Sequence, residues 1–527
     1  MKGRTILRIF ALTVFAAVLV WQHFEHGGRA GGARIASRTV PAAAVSSAPE
    51  KAAPPRHWQL GTLNLTSCEL PHLLSGATTA AWCTEFDVAE NPAQPEGRHI
   101  GLHLAVIRSE AGKPVADMVV MLAGGPGEAA TQAFADTGVY AGVLKHHNVL
   151  LLDQRGTGGS NPLSCKKTPQ VPQAQAPGSE LPSPEEMRSR VVGCLAEVQK
   201  IADPRYYTTT LAVEDLEKVR QALGAPLFDL ISVSYGTRMA QQYLMRHPDS
   251  VRAAVLDSPA PNQLILGAGF AASLEAALQR DFADCTAAPA CKKAFNDPMQ
   301  TLYKLRDALR ANPREVSFRD PRTFESVSRR VTPGLLVGVV RLFAYEPETA
   351  ALLPLSIDAA DRGDFTPLLG QQRLLDADLA GDITGGMGMS VICSEDADEL
   401  REQPQDADTM LGNLLLAQIK AQCALWPHGA MPADFHAPLR SARPVLILSG
   451  SRDPVTPPKY GEEILQGLSN ARHLVLKGQG HAVLGRGCMP KLIEQFIDHP
   501  DPKGLDAGCL DRLGPTPAFV DFNGAAP

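Results

Sequence analysis

The sequence predicts an α/β fold: a mostly parallel sheet with helices on both faces, interrupted by an inserted, mainly helical cap. Three observations carry that expectation. Short apolar runs alternate with helical patterns at the spacing of strand–helix–strand units, both early and late in the chain. Several of these runs stop abruptly in turns rich in glycine, serine or aspartate. Between residues 262 and 437 strand signals fade and helical spacing takes over, a stretch too long to be a loop. The 527 residues are 44% hydrophobic and 20% charged, which suits a large core with an insertion. A formal net charge of −6 leaves no basic footprint for nucleic acid.

The first residues form a targeting segment. Lys2, Arg4 and Arg8 precede an apolar stretch from Ile9 to Trp21, a charged start followed by a run short for a full membrane span. Residues 1–26 are expected to be a signal peptide or an N-terminal membrane anchor. Residues 27–56, rich in Ala, Gly, Ser and Pro, are expected to be a flexible linker. The chain is therefore expected to be exported, periplasmic or extracellular, with membrane attachment only through this segment. The ten cysteines agree, because an even count behind a signal segment suggests disulfides. Pairing sequence neighbours gives Cys68–Cys83, Cys165–Cys194, Cys285–Cys291, Cys393–Cys423 and Cys488–Cys509, although spacing does not dictate connectivity. No Cys-x-x-Cys pair has zinc spacing, so no metal is expected.

Residues 57–261 make the first part of the core. Trp58 to Thr66 and His99 to Arg108 alternate as strands, separated by a loop holding Cys68 and Cys83. The run Met118 to Ala123 reads as a buried strand ending in Gly124-Gly125-Pro126-Gly127, where bare backbone lets a ligand approach. Asn148 to Asp153 is another, leading into Gln154-Arg155-Gly156-Thr157-Gly158-Gly159-Ser160. Asp153 and Arg155 are expected to tie down structure rather than react. A polar excursion follows from Cys165 to about Tyr206, and Thr209 or Thr210 then caps a helix reaching Gly224.

The next strand, Phe228 to Val233, ends in Ser232-Val233-Ser234-Tyr235-Gly236 and passes directly into a helical pattern. A serine on so tight a strand-to-helix turn has the geometry of a nucleophile elbow. The flanking positions two away must be small. Ser234 meets this with Ser232 and Gly236, whereas Ser232 would need Leu230 to be small. Ser234 is the candidate nucleophile. The N–H of Tyr235 and one from the glycine loop, Gly125 first and Gly124 second, are the candidate oxyanion donors.

Ala253 to Pro259 reads as one more core strand. In the cap, residues 262–437, helical patterns cover Ser273 to Phe282, Met299 to Ala311 and Thr409 to Cys423. The core resumes over residues 438–527. Arg443 to Gly450 is a strand with Asp453 in the loop beyond it, and His473 to Lys477 is another with His481 just after. The chain order Ser234, Asp453, His481 is the order this fold requires of a triad. His146 and His147 precede a strand and stand at the wrong end of the sheet.

Gly124-Gly125-Pro126-Gly127, Asp153 to Ser160 and Ser234-Tyr235-Gly236-Thr237 together resemble α/β-hydrolases of the prolyl and tripeptidyl aminopeptidase family. The likeness runs over residues 100–259 and returns from about residue 443. It implies a serine exopeptidase that releases short N-terminal units from peptides, with no cofactor. It also implies an acidic residue of the cap that meets the substrate's free α-amino group. Glu395, after Val391-Ile392-Cys393, fits that position, with Asp396 as the alternative. Ala123 stands where many relatives carry His, Ser232 and Glu128 where Gly is usual, and Ala482 where Gly is common. Glu128 narrows the loop beside the oxyanion donors and reshapes the acyl pocket. An esterase using the same triad is the alternative, and a catalytically silent binding protein a third possibility that the joint presence of Ser, His and Asp opposes.

Overall fold

The computed structural model describes residues 55–73, 75–165, 184–379 and 385–525. The expected signal segment, and the linker as far as residue 54, lie outside these residues. The chain enters the sheet through β1 (His57–Leu60), β2 (Leu63–Pro71), β3 (Thr78–Ala89) and β4 (His99–Ile107). The strand expected over Trp58 to Thr66 is thus a hairpin. Gly61 turns it at φ +58, packed so closely on Ala222 that a Cβ there would lie 2.2 Å from its carbonyl oxygen. The expectation of Cys68 and Cys83 in a connecting loop is also corrected. Cys68 lies in β2 and Cys83 in β3, and their disulfide links these antiparallel neighbours.

Next come β5 (Met118–Leu122) and β6 (Val149–Leu152), then α1 (Pro184–Val198), which lies inside the stretch expected to be a polar excursion. α2 (Thr209–Leu223) follows, capped by Thr208, one residue before the sequence-based choice, and closed by Gly224 at φ +68. β7 (Phe228–Val233), α3 (Tyr235–Arg246) and β8 (Val251–Asp257) complete the first part.

Between β8 and β11 (Val445–Gly450) the chain inserts a set of helices. They include α4 (Phe270–Ala287), α5 (Pro298–Ala311), α6 (Pro333–Phe343), α7 (Gly385–Glu395) and α8 (Leu414–Cys423). Leu274, Leu278, Leu302, Leu336 and Val340 bury one another in a core of their own. The insertion also holds an antiparallel hairpin, β9 (Arg314–Arg319) and β10 (Ser326–Val331), which the sequence reading lacked. Its alternation is real, but charged residues stand on both faces, so no apolar signal marks it. After β11 come α9 (Pro458–Leu465), β12 (Ala471–Leu476) and α10 (Met489–Asp498).

The sheet order is β1-β2-β3-β4-β6-β5-β7-β8-β11-β12, antiparallel as far as β6 and parallel from β6 to β12. Alternation splits each strand between two apolar layers. In β5, Met118, Val120 and Leu122 face the layer of α2 and α3, while Val119 and Met121 face the layer of α10. Burying each such side chain contributes about 1.5–3 kcal/mol. The chain leaves β5 for β6 on one side and then crosses back to β7 on the other. The crevice at the carboxyl ends of β5 and β7 is therefore the topological switch point, where open α/β sheets bind ligands. Cysteines pair as Cys68–Cys83, Cys165–Cys194, Cys285–Cys291, Cys393–Cys423 and Cys488–Cys509, the neighbours suggested by sequence.

Candidate active site

The site is assembled from loops that leave β5, β7, β8, β11 and β12 at the same end. Ser234 links β7 to α3 with φ +54 and ψ −124, a conformation that costs a non-glycine residue free energy and is retained where the surroundings enforce it. Its N–H donates to the carbonyl of Asp257 at 2.9 Å. Gly236 permits the crossing: a Cβ there would come within 2.3 Å of the Leu122 carbonyl oxygen. At the other flanking position the Ser232 hydroxyl donates to the Val255 carbonyl at 2.8 Å, so a serine fits where glycine was expected.

His481 Nδ1 lies 2.8 Å from Asp453 Oδ2. An ionised carboxylate only accepts, so Nδ1 carries the proton and Nε2 is left basic. Asp453 Oδ1 accepts from the N–H groups of Val455 and Thr456, and Thr456 Oγ1 lies 2.9 Å from Oδ2. Burial works against the Asp453 charge, but His481 and these donors hold its carboxyl below the usual range. Burial likewise opposes charge on His481, yet Asp453, aided by Asp257 and Glu128, raises its pKa above the ordinary 6.5.

Sequence reasoning missed the residues that hold these loops together. Asp257 and Ser258 end β8, between the strands that carry Ser234 and Asp453. The Asp257 carbonyl receives Ser234 N–H, while its carboxylate accepts from Val483 and Leu484, just past His481. Ser258 Oγ accepts from Ala482 N–H, and its carbonyl accepts from Thr456 Oγ1. From the insertion, the Tyr345 carbonyl accepts His481 N–H at 2.8 Å, and the Tyr345 ring meets the imidazole edge-on. Only the strand-end position of Asp257-Ser258 hinted at this.

The glycine loop separates the two oxyanion candidates. Gly124 N–H donates to Glu128 Oε2 at 3.0 Å. Among the described residues Gly125 N–H has no such partner, and Tyr235 N–H, first in α3, has none within its helix. Gly125 and Tyr235 thus remain the two candidate donors, and Gly124 is committed to Glu128.

Glu395 and Asp396, the residues expected to meet the substrate's α-amino group, are both buried. Glu395 is 1% exposed and accepts from Thr209 N–H and Oγ1 at 2.6 and 2.9 Å. Burial pushes its carboxyl up to about 8. Asp396 pairs with the buried Arg238 of α3 at 2.9 Å, and Arg238 also donates to the Leu264 carbonyl. Thr209 Oγ1 lies 2.6 Å from the Tyr235 hydroxyl, which accepts from Gln154. These acids tie the end of α7 to α2 and to the elbow helix.

Asp153 and Arg155 take the structural roles expected of them, though not with each other. Asp153 accepts from Thr131 and Gly159, while Arg155 makes a two-pronged pair with Asp215 and donates to the carbonyls of Glu90 and Tyr206. His147 is buried against Asp498, on the layer of α10.

A strained serine on a strand-to-helix turn and an Asp–His pair in loops at the same carboxyl edge of a parallel sheet define a class of enzyme. A profile of the alpha/beta hydrolase fold matches residues 117–486, and the chain belongs to that family. It is a serine hydrolase. It is similar to the tripeptidyl aminopeptidase of Streptomyces coelicolor, 24% identical over 472 residues covering 82% of this chain and 84% of the relative. Serine protease Hip1 of Mycobacterium tuberculosis is 24% identical over 463 residues, 79% of this chain and 85% of the relative. Carboxylesterase B of the same species is 24% identical over 448 residues, covering 79% and 84%.

Proposed function

We propose that this chain is an exported serine exopeptidase that removes short units from free peptide N-termini. The observation that carries the reading is the Asp453–His481 pair at 2.8 Å, held at the same edge of the sheet as the strained Ser234. Ser234 Oγ attacks the scissile carbonyl carbon while His481 Nε2 takes its proton. The carbonyl oxygen becomes an oxyanion held by Tyr235 N–H and Gly125 N–H. Asp453 stabilises the imidazolium. His481 then gives the proton to the leaving amine, the C–N bond breaks, and an acyl-enzyme remains. Water, deprotonated by the same nitrogen, releases the acid and restores Ser234. Five disulfides support export, because such bonds persist in oxidising compartments.

The test is a mixed peptide pool, half of it N-acetylated, followed by mass spectrometry beside a Ser234→Ala control. Shortening of free N-termini only, by the wild type only, is the expected result. The burial of Glu395 and Asp396 favours a second reading, a small-molecule esterase. Ester hydrolysis with neither half of the pool shortened would replace the first reading by that one.

A further inference from the structure

Arg341 lies in the last turn of α6 and is half-buried. Among the described residues no carboxylate pairs with it, and its one hydrogen-bond partner is the Tyr345 hydroxyl, which accepts from Nη2 at 3.0 Å. The guanidinium instead stands over two rings, 5.7 Å from the centre of Phe270 and 5.5 Å from that of Tyr345. Such contacts hold a planar cation in place without neutralising it. Four of its five N–H donors are left for another partner.

Tyr345 brings this cation to the reacting groups. Its carbonyl accepts His481 N–H, and its ring meets the imidazole edge-on with centres 5.3 Å apart. The guanidinium therefore stands within about 11 Å of the imidazole, the length of roughly three extended residues. The Tyr345 hydroxyl already accepts from Arg341, and among the described residues its own proton has no acceptor. Arg341 and Tyr345 thus offer N–H and O–H donors side by side. A carboxylate only accepts, so it can take both, and the contact to the guanidinium is charge-assisted. His481 hands its proton to the leaving amine, so the leaving portion of the substrate begins beside the imidazole that Tyr345 touches. Where one or two residues follow the cut, their C-terminal carboxylate lies about 3–7 Å from that amine, within the span to Arg341.

We infer that Arg341, together with the Tyr345 hydroxyl, binds a carboxylate carried by the leaving portion of the substrate, and so selects short peptides that end one or two residues past the cut. This rests on the exopeptidase reading above and narrows its substrates to short peptides with a free C-terminus. A neutral leaving portion gives the partly desolvated cation no counter-charge, which is the source of the discrimination.

The experiment compares alanine peptides of two to five residues, each as free acid and as C-terminal amide, using wild type, Arg341→Gln, Arg341→Lys and Tyr345→Phe. The esters 4-acetoxybenzoate and 4-acetoxybenzamide are run beside them. Where one or two residues follow the cut, the wild type should show a kcat/KM for the acid about tenfold or more above that for the amide. The ratio should fall as the leaving portion lengthens. Arg341→Gln should abolish the preference, with Arg341→Lys and Tyr345→Phe between. A purely structural role for Arg341 would lower acid and amide equally, and that result overturns the inference. Equal cleavage of acid and amide by the wild type, a comparison that needs no variant to fold, also overturns it while the exopeptidase reading stands. If no peptide is cleaved, the exopeptidase reading falls and the ester pair tests the anion site alone. Preference for 4-acetoxybenzoate that is lost in Arg341→Gln then supports the site, and equal rates on the two esters overturn it.

Discussion

Ser234, His481 and Asp453 each answer to a different physical demand, and each demand has its own measurable consequence. Replacing Ser234 by Ala should lower turnover by about three powers of ten or more, leaving only substrate binding and the oxyanion donors. His481 must be neutral to accept the Ser234 proton. The Asp453 charge and hydrogen bond outweigh burial and raise its pKa, so activity should climb through a pKa above 6.5 as pH rises. Asp453→Asn should move that limb to lower pH and reduce kcat by about four powers of ten; a pH–rate profile reads both. Glu395 behaves in the opposite sense to an active-site acid. Its folded pKa, about 8, lies above the ordinary 4.5, so the fold binds a proton that the unfolded chain releases. That contribution is complete below 4.5 and is lost as pH rises through 8. Glu395→Gln should flatten thermal stability across this window; a wild-type slope in the variant would contradict the assignment.

At the scale of elements, the site depends on loops being joined to one another. Asp257 and Ser258 clamp the elbow to the His481 loop, and Asp257→Ala leaves the buried N–H groups of Val483 and Leu484 without their acceptor. The expected loss is about 1–3 kcal/mol of stability by denaturant titration, together with a fall in kcat at unchanged KM. Ala482 is held at φ +64, where alanine is strained and glycine is not. Ala482→Gly should therefore be tolerated or slightly stabilising. The elements themselves were largely readable, because each buried strand is a short apolar run ending in a characteristic turn. Phe228 to Gly236 needed only its spacing of small residues to show both the strand and the reactive serine. The β9–β10 hairpin was not readable, since Arg314, Glu315 and Arg319 hide its alternation. The fate of Glu395 was not readable either. Nothing in Val391 to Asp396 says that Thr209 and Arg238, distant in sequence, will close over it.

Across the whole molecule, the insertion and the core share the catalytic geometry. Tyr345 of the insertion accepts His481 N–H, and Gly480 allows this because a Cβ there would sit 2.1 Å from the same carbonyl oxygen. Arg238 joins the elbow helix to the end of α7 through Asp396. Removing Arg238 leaves buried Asp396 without its cation, and Arg238→Ala should cost about 3–5 kcal/mol. Cys393 and Cys423 join α7 to α8 over a separation of 30 residues, so replacing both by serine should cost about 3 kcal/mol, read as a lower melting temperature. The central claim is that one serine, at the switch point of the sheet, is activated by His481 and Asp453. The most direct measurement is peptide mapping after reaction with a fluorophosphonate, which captures an activated serine covalently. The account expects one adduct, on the peptide containing Ser234, that disappears in Ser234→Ala and is strongly reduced in His481→Ala. An adduct on any other serine, or equal labelling of the Ser234→Ala protein, would contradict it.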